Sequence, residues 1–147
     1  MRDFSTTVTI AATPLHVWEV LVDVERWADW TPTVRRIERL DAGPLEVGSR
    51  VRIDQPKLRP AIWTVTAWEP EVGFTWVSRS PGLVATGLHA IEASADGSRI
   101  TLRVHFGGLL ASVVGVLASG LTRTYLGLEA AGLKARCEKA NVRPAHS

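Results

Sequence analysis

The chain has 147 residues, of which 46% are hydrophobic and 22% charged, and its formal net charge is +2. These values are ordinary for one globular domain and argue against disorder, a disulfide scaffold and a second domain. No stripe of basic and aromatic residues accompanies the small excess of arginine and lysine, so we expect no nucleic-acid binding.

Cys137 is the only cysteine, which excludes an intrachain disulfide and favours a reducing, cytoplasmic location. It lies in a basic stretch near the expected frayed helix end, without a histidine at helical spacing, and this favours an ordinary thiol over a nucleophile. The first nine residues lack the features of a signal peptide. Residues 106–122 are apolar but fall short of the roughly 20 residues that a membrane span requires, so we expect no stable membrane insertion.

The N-terminal part predicts one strand followed by two short helices. A β-branched run at 4–10 is typical of a strand. Thr13 as N-cap and Pro14 at the first helical position predict a helix start. A second short helix is expected at 24–30, and Pro32 ends it because the residue before a proline is pushed out of helical space.

Turn residues then divide the chain into six more strands and a long helix. Asp96 and Gly97 are the clearest hairpin signal. The expected strands are 34–40, 50–55, 61–68, 74–80, 83–94 and 99–106. The helix is expected to run from Phe106 to Ala140.

Alternation assigns the strand residues to two faces. In the last strand the apolar residues from Ile100 to Phe106 share one face, which must be the interior. In the preceding strand Glu92 is expected outside, which places His89 and Ile91 inside. Trp63, Val65 and Trp76 are also expected to face inward.

The helical pattern predicts an inner face for the long helix. Its members recur at three- and four-residue steps and are Leu110, Val114, Leu117, Leu121, Thr124 and Leu128. Arg123, Glu129, Lys134 and Arg136 are expected to point away from it. Leu126 and Leu133 are expected on the exposed back, as a homodimer contact or a membrane touch. Four glycines in this helix either permit close packing or leave room beside a ligand, and they are Gly115, Gly120, Gly127 and Gly132.

This order of elements and several motifs resemble the START-like or Bet v 1-like (SRPBCC) superfamily, also labelled polyketide cyclase/dehydrase-like. The motifs are 14–18, 23–32, 47–50, 63–65, 68–70, 74–76 and 87–89. The resemblance implies the α+β helix-grip fold, in which a seven-stranded antiparallel curved sheet wraps around a long C-terminal helix, with two short helices between strands one and two. It also implies a cavity between sheet and helix that binds hydrophobic molecules, and only some members are enzymes.

We therefore expect a single domain over 1–147, with a loose tail at 141–147, that binds a small lipid- or polyketide-like ligand. The expected lining is Trp30, Trp63, Trp76, His89, Ile91, Leu102, Val104, Phe106, Leu110, Val114, Leu117 and Leu121. Most of these side chains would also suit a packed core, as expected for Trp18 and Trp27.

The alternative is an enzyme of the polyketide cyclase, aromatase or dehydratase type, and a membrane-linked or structural role is a third possibility. His89 is then the candidate acid or base. The same sequence pattern would also arise from a core histidine whose ring N–H is hydrogen-bonded to a neighbour. Arg52, Asp54 and Tyr125 are candidates for a second catalytic group. No metal or cofactor motif is present and the four histidines lie far apart, so we expect neither a metal nor a cofactor.

Overall fold

The computed structural model describes residues 2–141, so most of the expected loose tail lies outside the described residues. Seven strands form one antiparallel sheet in the order β1-β7-β6-β5-β4-β3-β2. The strands are β1 (Asp3–Ile10), β2 (Arg36–Arg39), β3 (Arg50–Asp54), β4 (Ala61–Glu69), β5 (Gly73–Ser80), β6 (Leu83–Ser94) and β7 (Gly97–Gly107). The helices are α1 (Pro14–Val22), a 3-10 helix (Val24–Asp29), α2 (Ala111–Leu117) and α3 (Ser119–Asn141). The predicted α+β helix-grip fold is confirmed.

The two short helices between β1 and β2 lie where their local sequence predicts them. Thr13 caps α1, because its Oγ1 accepts a 3.2 Å hydrogen bond from the His16 backbone N–H. The second helix is of the 3-10 type, as is common for short connecting turns. Trp27 fastens it to α1 by donating a 2.9 Å hydrogen bond from Nε1 to the Leu21 carbonyl.

The predicted inner face of the sheet is confirmed where the strands are long. Leu102 is paired with His89 and Ile100 with Ile91, and all four side chains are buried. In β4 a register shift between Val65 and Ala67 turns the strand, so Trp68 packs against Trp18 of α1 at 4.9 Å between ring centroids.

The long C-terminal helix is present as α3, but its predicted start at Phe106 is wrong, because the segment forms two helices that meet at Ala118. Glycines flank this point at 115 and 120, and each weakens a helix interior by about 1 kcal/mol relative to alanine. Ser119 also competes with the helical pattern, since its Oγ donates a 3.1 Å hydrogen bond to the Val116 carbonyl.

The predicted inner face of this segment is also wrong. Leu110 and Leu117 are 47% and 81% exposed, whereas Leu126 and Leu133 are 5% and 0% exposed. The buried residues before and after the break at Ala118 share one side of the segment, and that side differs from the one that the leucines predict. In addition, the core-facing side is formed largely by small residues, whose burial removes little apolar area and leaves a weak pattern in sequence. The buried residues are Ala111, Gly115, Leu126, Ala130, Leu133 and Cys137.

Because the inner face of the C-terminal helices differs from the predicted one, two further expectations are wrong. Leu126 and Leu133 pack into the chain's own core, so they supply no exposed contact for a dimer or a membrane. Cys137 is fully buried rather than in a frayed end, and burial raises the pKa of its thiol to about 12. Within residues 2–141, no helix is long and apolar enough to cross a membrane.

Candidate functional site

An aromatic cluster fills the middle of the inner sheet face. The His89 ring stacks on Phe74 with 4.2 Å between centroids and an interplanar angle of 12°. Trp76 meets the same imidazole edge-on at 5.4 Å, and Trp27 of the 3-10 helix covers it at 5.7 Å. The sheet supplies three of these rings and the 3-10 helix the fourth, so both elements determine where His89 lies.

His89 is held as a neutral imidazole. Its Nδ1 donates a 3.2 Å hydrogen bond to the Phe74 carbonyl, which leaves Nε2 with the lone pair. Burial lowers the pKa of His89 to about 4, against a weaker opposing effect of this hydrogen bond. Near pH 7 the ring can therefore accept a hydrogen bond, but it carries no proton to donate as an acid.

Trp63 lies on the inner face at the edge of this cluster. Its ring centroid is 5.9 Å from that of Trp76, and the missing side chain of Gly87 makes room for both indoles. Unlike Trp76, which is 3% exposed, Trp63 is only partly buried. Its Nε1 is nevertheless buried and has no hydrogen-bond partner among residues 2–141. Trp63 thus presents an unsatisfied donor inside the fold.

Beyond Trp63 the inner face is covered incompletely. The partly buried apolar side chains here belong to β6, β7 and α2, and they are Leu83, Ala85, Val104 and Val114. We call these four residues and Trp63 the half-covered end of the sheet. Leu110 immediately precedes α2. Its backbone N–H donates a 2.8 Å hydrogen bond to the carbonyl of Gly82, next to Leu83.

Glu129 is the functional candidate that the sequence analysis missed. Its Oε2 accepts a 3.0 Å hydrogen bond from Thr33 Oγ1, and Thr33 is in turn 3.1 Å from Thr31 Oγ1. Desolvation raises the pKa of Glu129 to about 7, although the bond from Thr33 opposes it. The sequence predicts that Glu129 points away from the inner face, whereas it lies beside the residues of α3 that are buried, at 126, 130, 133 and 137; no pattern in the sequence alone identifies that side.

The other candidates for catalysis lie elsewhere. Arg52 and Asp54 line a pocket with Arg36 and Glu38 on the outer face of β2 and β3, away from the ring of His89. The Tyr125 hydroxyl donates a hydrogen bond to the Pro56 carbonyl and fastens the loop between β3 and β4 to α3. Among residues 2–141, no three histidine, cysteine, aspartate or glutamate side chains come close enough to hold a metal ion.

The structure separates the candidate lining residues into three groups. The buried ones are Trp76, His89, Ile91, Leu102 and Phe106, the partly buried ones are Trp30, Trp63, Val104, Val114 and Leu121, and the exposed ones are Leu110 and Leu117. Leu117 points to solvent because its side of α2 faces away from the core. Trp30 lines a separate surface pocket with His16 and Arg136.

The two best-defined pockets among residues 2–141 are surface pockets and not the expected internal cavity. Two pockets of about 130 Å³ are present, one beside Trp30 and one on the outer face of the sheet. Neither lies between the sheet and α3, because the rings around His89 occupy that space.

The fold and this arrangement define a helix-grip protein with an aromatic interior. A family model described as polyketide cyclase/dehydrase and lipid transport matches residues 1–138, so the chain belongs to that family. No curated protein sequence matches it significantly.

Several solved structures share the fold. The di-domain aromatase/cyclase StfQ of the steffimycin biosynthetic pathway is 13% identical with a TM-score of 0.76, over 95% of this chain and 51% of that one. This chain thus spans about half of StfQ. The Zhui aromatase/cyclase from Streptomyces sp. R1128 is 22% identical with a TM-score of 0.73, over 99% and 98% of the two chains. Ara h 8.0201 is 14% identical with a TM-score of 0.65, over 93% and 96%. At these identities the likeness concerns the fold.

Proposed function

We propose that this protein binds a small hydrophobic molecule, lipid- or polyketide-like, at the half-covered end of the sheet. The observation that carries the proposal is Trp63, a partly exposed indole on the inner face whose buried Nε1 lacks a partner in residues 2–141. A buried donor left unpaired costs about 1–3 kcal/mol, and a carbonyl or hydroxyl oxygen on a ligand would remove that cost. The ligand is therefore largely apolar with at least one hydrogen-bond acceptor.

Entry of such a ligand would involve outward movement of α2, because Val114 of α2 forms part of the half-covered end. The segment has features that make this movement inexpensive. α2 has only seven residues, it follows Gly108 at φ +97°, and it ends at the break at Ala118. Its N-terminal side is attached by the backbone hydrogen bond from Leu110 to Gly82, by packing of the Leu110 side chain against Gly82, and by the exposed hydrogen bonds from Arg2 to Ser112 Oγ. Short helices with glycine at one end suit a hinged segment.

A polyketide cyclase, aromatase or dehydratase activity is the second candidate, and Glu129 is the observation that favours it. A carboxyl group with a pKa near 7 can both give and take a proton at neutral pH. His89, the candidate from sequence, has its pKa near 4 and suits the role of orienting a ligand hydroxyl through Nε2. In this version of the proposal, Glu129 is the acid or base and His89 the positioning residue.

Native mass spectrometry of the purified protein, followed by fluorescence titration with oleate and with 2-naphthol, tests binding. The Trp63→Phe variant keeps an aromatic ring but removes the donor, and we expect its affinity to fall about tenfold. Trp68→Phe is the matched control, because Trp68 packs against Trp18 and Phe74 away from the half-covered end. Absence of any bound molecule and of saturable binding of either probe would overturn the proposal.

The enzymatic version has a separate test. If Glu129 transfers a proton, Glu129→Gln slows turnover of a cyclisable poly-β-ketone at least a hundredfold while probe affinity stays within about threefold. Equal turnover by both proteins would remove Glu129 from the mechanism and leave binding untouched.

A further inference from the structure

The outward side of α2 is apolar and uncovered. Leu109 is 96% exposed, Val113 56%, Val116 64% and Leu117 81%. Their spacing of four, three and one residues places them on one side of the segment, opposite the buried Ala111 and Gly115. Scattered exposed hydrophobic residues are normal, but a contiguous set on one short helix marks an interaction surface.

The loop between β3 and β4 adds to this surface. The hydrogen bond from the Tyr125 hydroxyl to the Pro56 carbonyl holds the loop beside the first turns of α3, which directly follow α2. Leu58, two residues further along this loop, is 46% exposed. We call Leu58, Leu109, Val113, Val116 and Leu117 the apolar patch.

Basic side chains surround the apolar patch. Lys57 and Arg59 flank Leu58 in the loop and are both exposed. The Arg2 guanidinium lies 3.4 Å from Ser112 Oγ on α2. Positive charge therefore lies beside α2 and in the loop that Tyr125 holds against α3, and we call Arg2, Lys57 and Arg59 the cationic border.

Acidic residues are absent from the stretches of sequence that build this end of the molecule. Residues 55–68, 72–91 and 97–128 contain no aspartate or glutamate. Asp3, the acidic residue next to Arg2, is already engaged by Arg103 and His105, each at 2.9 Å. The surface therefore combines exposed aliphatic side chains with an uncompensated positive border.

We propose that the apolar patch docks this protein onto a bilayer surface that contains anionic phospholipid, with α2 lying in the plane of the interface. Aliphatic side chains enter the boundary between headgroups and acyl chains, and basic side chains pair with lipid phosphate and carboxylate groups. A second copy of the chain is the poorer occupant, because face-to-face pairing would bring the two cationic borders together. Docking needs no bound ligand, so it stands independently of the proposed function.

Cosedimentation with vesicles tests the docking. We expect binding to phosphatidylcholine vesicles that contain about 30% phosphatidylserine, weakening as salt is raised and nearly absent with phosphatidylcholine alone. The double variant Leu109→Asp/Leu117→Asp should lower the partition coefficient at least tenfold. Both side chains are largely in solvent, so its thermal unfolding should match the wild type.

A matched control carries the same change of charge elsewhere on the surface. Val47 and Val72 are 60% and 48% exposed and lie in loops outside the apolar patch. Val47→Asp/Val72→Asp should keep vesicle binding within about twofold of the wild type. Equal loss in both double variants, or no sedimentation of the wild type with the anionic vesicles, would overturn the proposal. It would also be overturned by a wild-type dimer in light scattering that only Leu109→Asp/Leu117→Asp dissociates, since the patch would then join two copies.

Discussion

Glu129 on α3 and Thr33 before β2 are joined by a 3.0 Å hydrogen bond from the threonine hydroxyl to the carboxyl group. Thr33 is fully buried, so this bond couples the middle of α3 to the segment between the 3-10 helix and the sheet. The pairing places an ionisable group beside the inner face, where desolvation favours its neutral form.

Stability should therefore depend on the protonation of Glu129. The pKa of this group is raised from 4.5 to about 7, so its contribution is fully present below pH 4.5 and is lost as pH rises through 7. Glu129→Gln keeps an acceptor for Thr33 without the charge. At pH 8 we expect its free energy of unfolding, measured by urea denaturation, to exceed that of the wild type by about 1–3 kcal/mol.

The control for this prediction is Glu138→Gln on the same helix. Hydrogen bonds from Lys134 and from the Ala11 backbone lower the pKa of Glu138, so its ionisation is complete well below pH 6. The difference between this variant and the wild type should stay constant from pH 6 to pH 8. A parallel pH profile for Glu129→Gln and the wild type would show that the Glu129 carboxyl is not desolvated.

For His89 we predict the opposite effect: at lower pH, its protonation should destabilise the folded protein. Its pKa falls from 6.5 to about 4 on folding, so the stability it contributes is present above pH 6.5 and is lost as pH falls towards 4. Over that window protonation costs the folded state about 3 kcal/mol. His89→Gln should be less stable at pH 7 but should lose less stability between pH 6.5 and 4, as measured by urea unfolding.

His105→Gln is a useful comparison, because His105 is exposed and lies outside the aromatic cluster. If it flattens the pH profile as much as His89→Gln does, the assignment to His89 fails. Between pH 4.5 and 6.5, His89 makes the free energy of unfolding rise with pH and Glu129 makes it fall. Replacing either residue should therefore reveal the pH dependence that the other one causes.

Two glycines of α3 should respond to alanine in opposite directions. A methyl group at Gly127 would meet nothing within 4 Å, whereas at Gly132 it would overlap the Trp30 carbonyl. Gly127→Ala should raise the free energy of unfolding by about 0.5–1 kcal/mol, because alanine is the better helix former. Gly132→Ala should lower it by more than about 1 kcal/mol, because Trp30 must move. Calorimetric unfolding of both variants tests whether Gly132 is needed for close packing against Trp30. If Gly132→Ala stabilises the protein as much as Gly127→Ala does, it is not needed.

Cys137 should be unreactive in the folded protein. Its thiol is buried and its pKa is near 12, so almost no thiolate exists at pH 8. A chromogenic disulfide reagent should label the native protein at least a hundredfold more slowly than the protein in urea. Rapid labelling of the native state would mean that the end of α3 opens locally.

The strands were predictable from sequence because their signals are local. Alternation in β6 and β7 placed His89 and Ile91 inside, and both are buried. The start of α1 follows from Thr13 and Pro14, whose effects reach only a few residues. The architecture could be inferred through the family resemblance, since the order of elements is itself visible along the chain.

The C-terminal segment was not predictable in the same way. Its leucines suggested a face through Leu110 and Leu117, and these side chains are in solvent. A helix that packs through alanine, glycine and cysteine buries little apolar area per residue, so its core side carries the weaker periodic signal. Neither the break at Ala118 nor the side of the helices that meets the sheet can be identified without the sheet against which the helices pack.

The sequence by itself determined the number and order of the strands, the cap of α1, the inner sheet face and the family, because periods, turns and motifs are properties of neighbouring residues. Only the tertiary structure decided that Glu129 meets Thr33, that Trp63 Nε1 is left unpaired and that the outward side of α2 is bare. Each of these depends on how far the helices cover the sheet. That coverage is set by the packing of residues distant in sequence, and no local pattern encodes it.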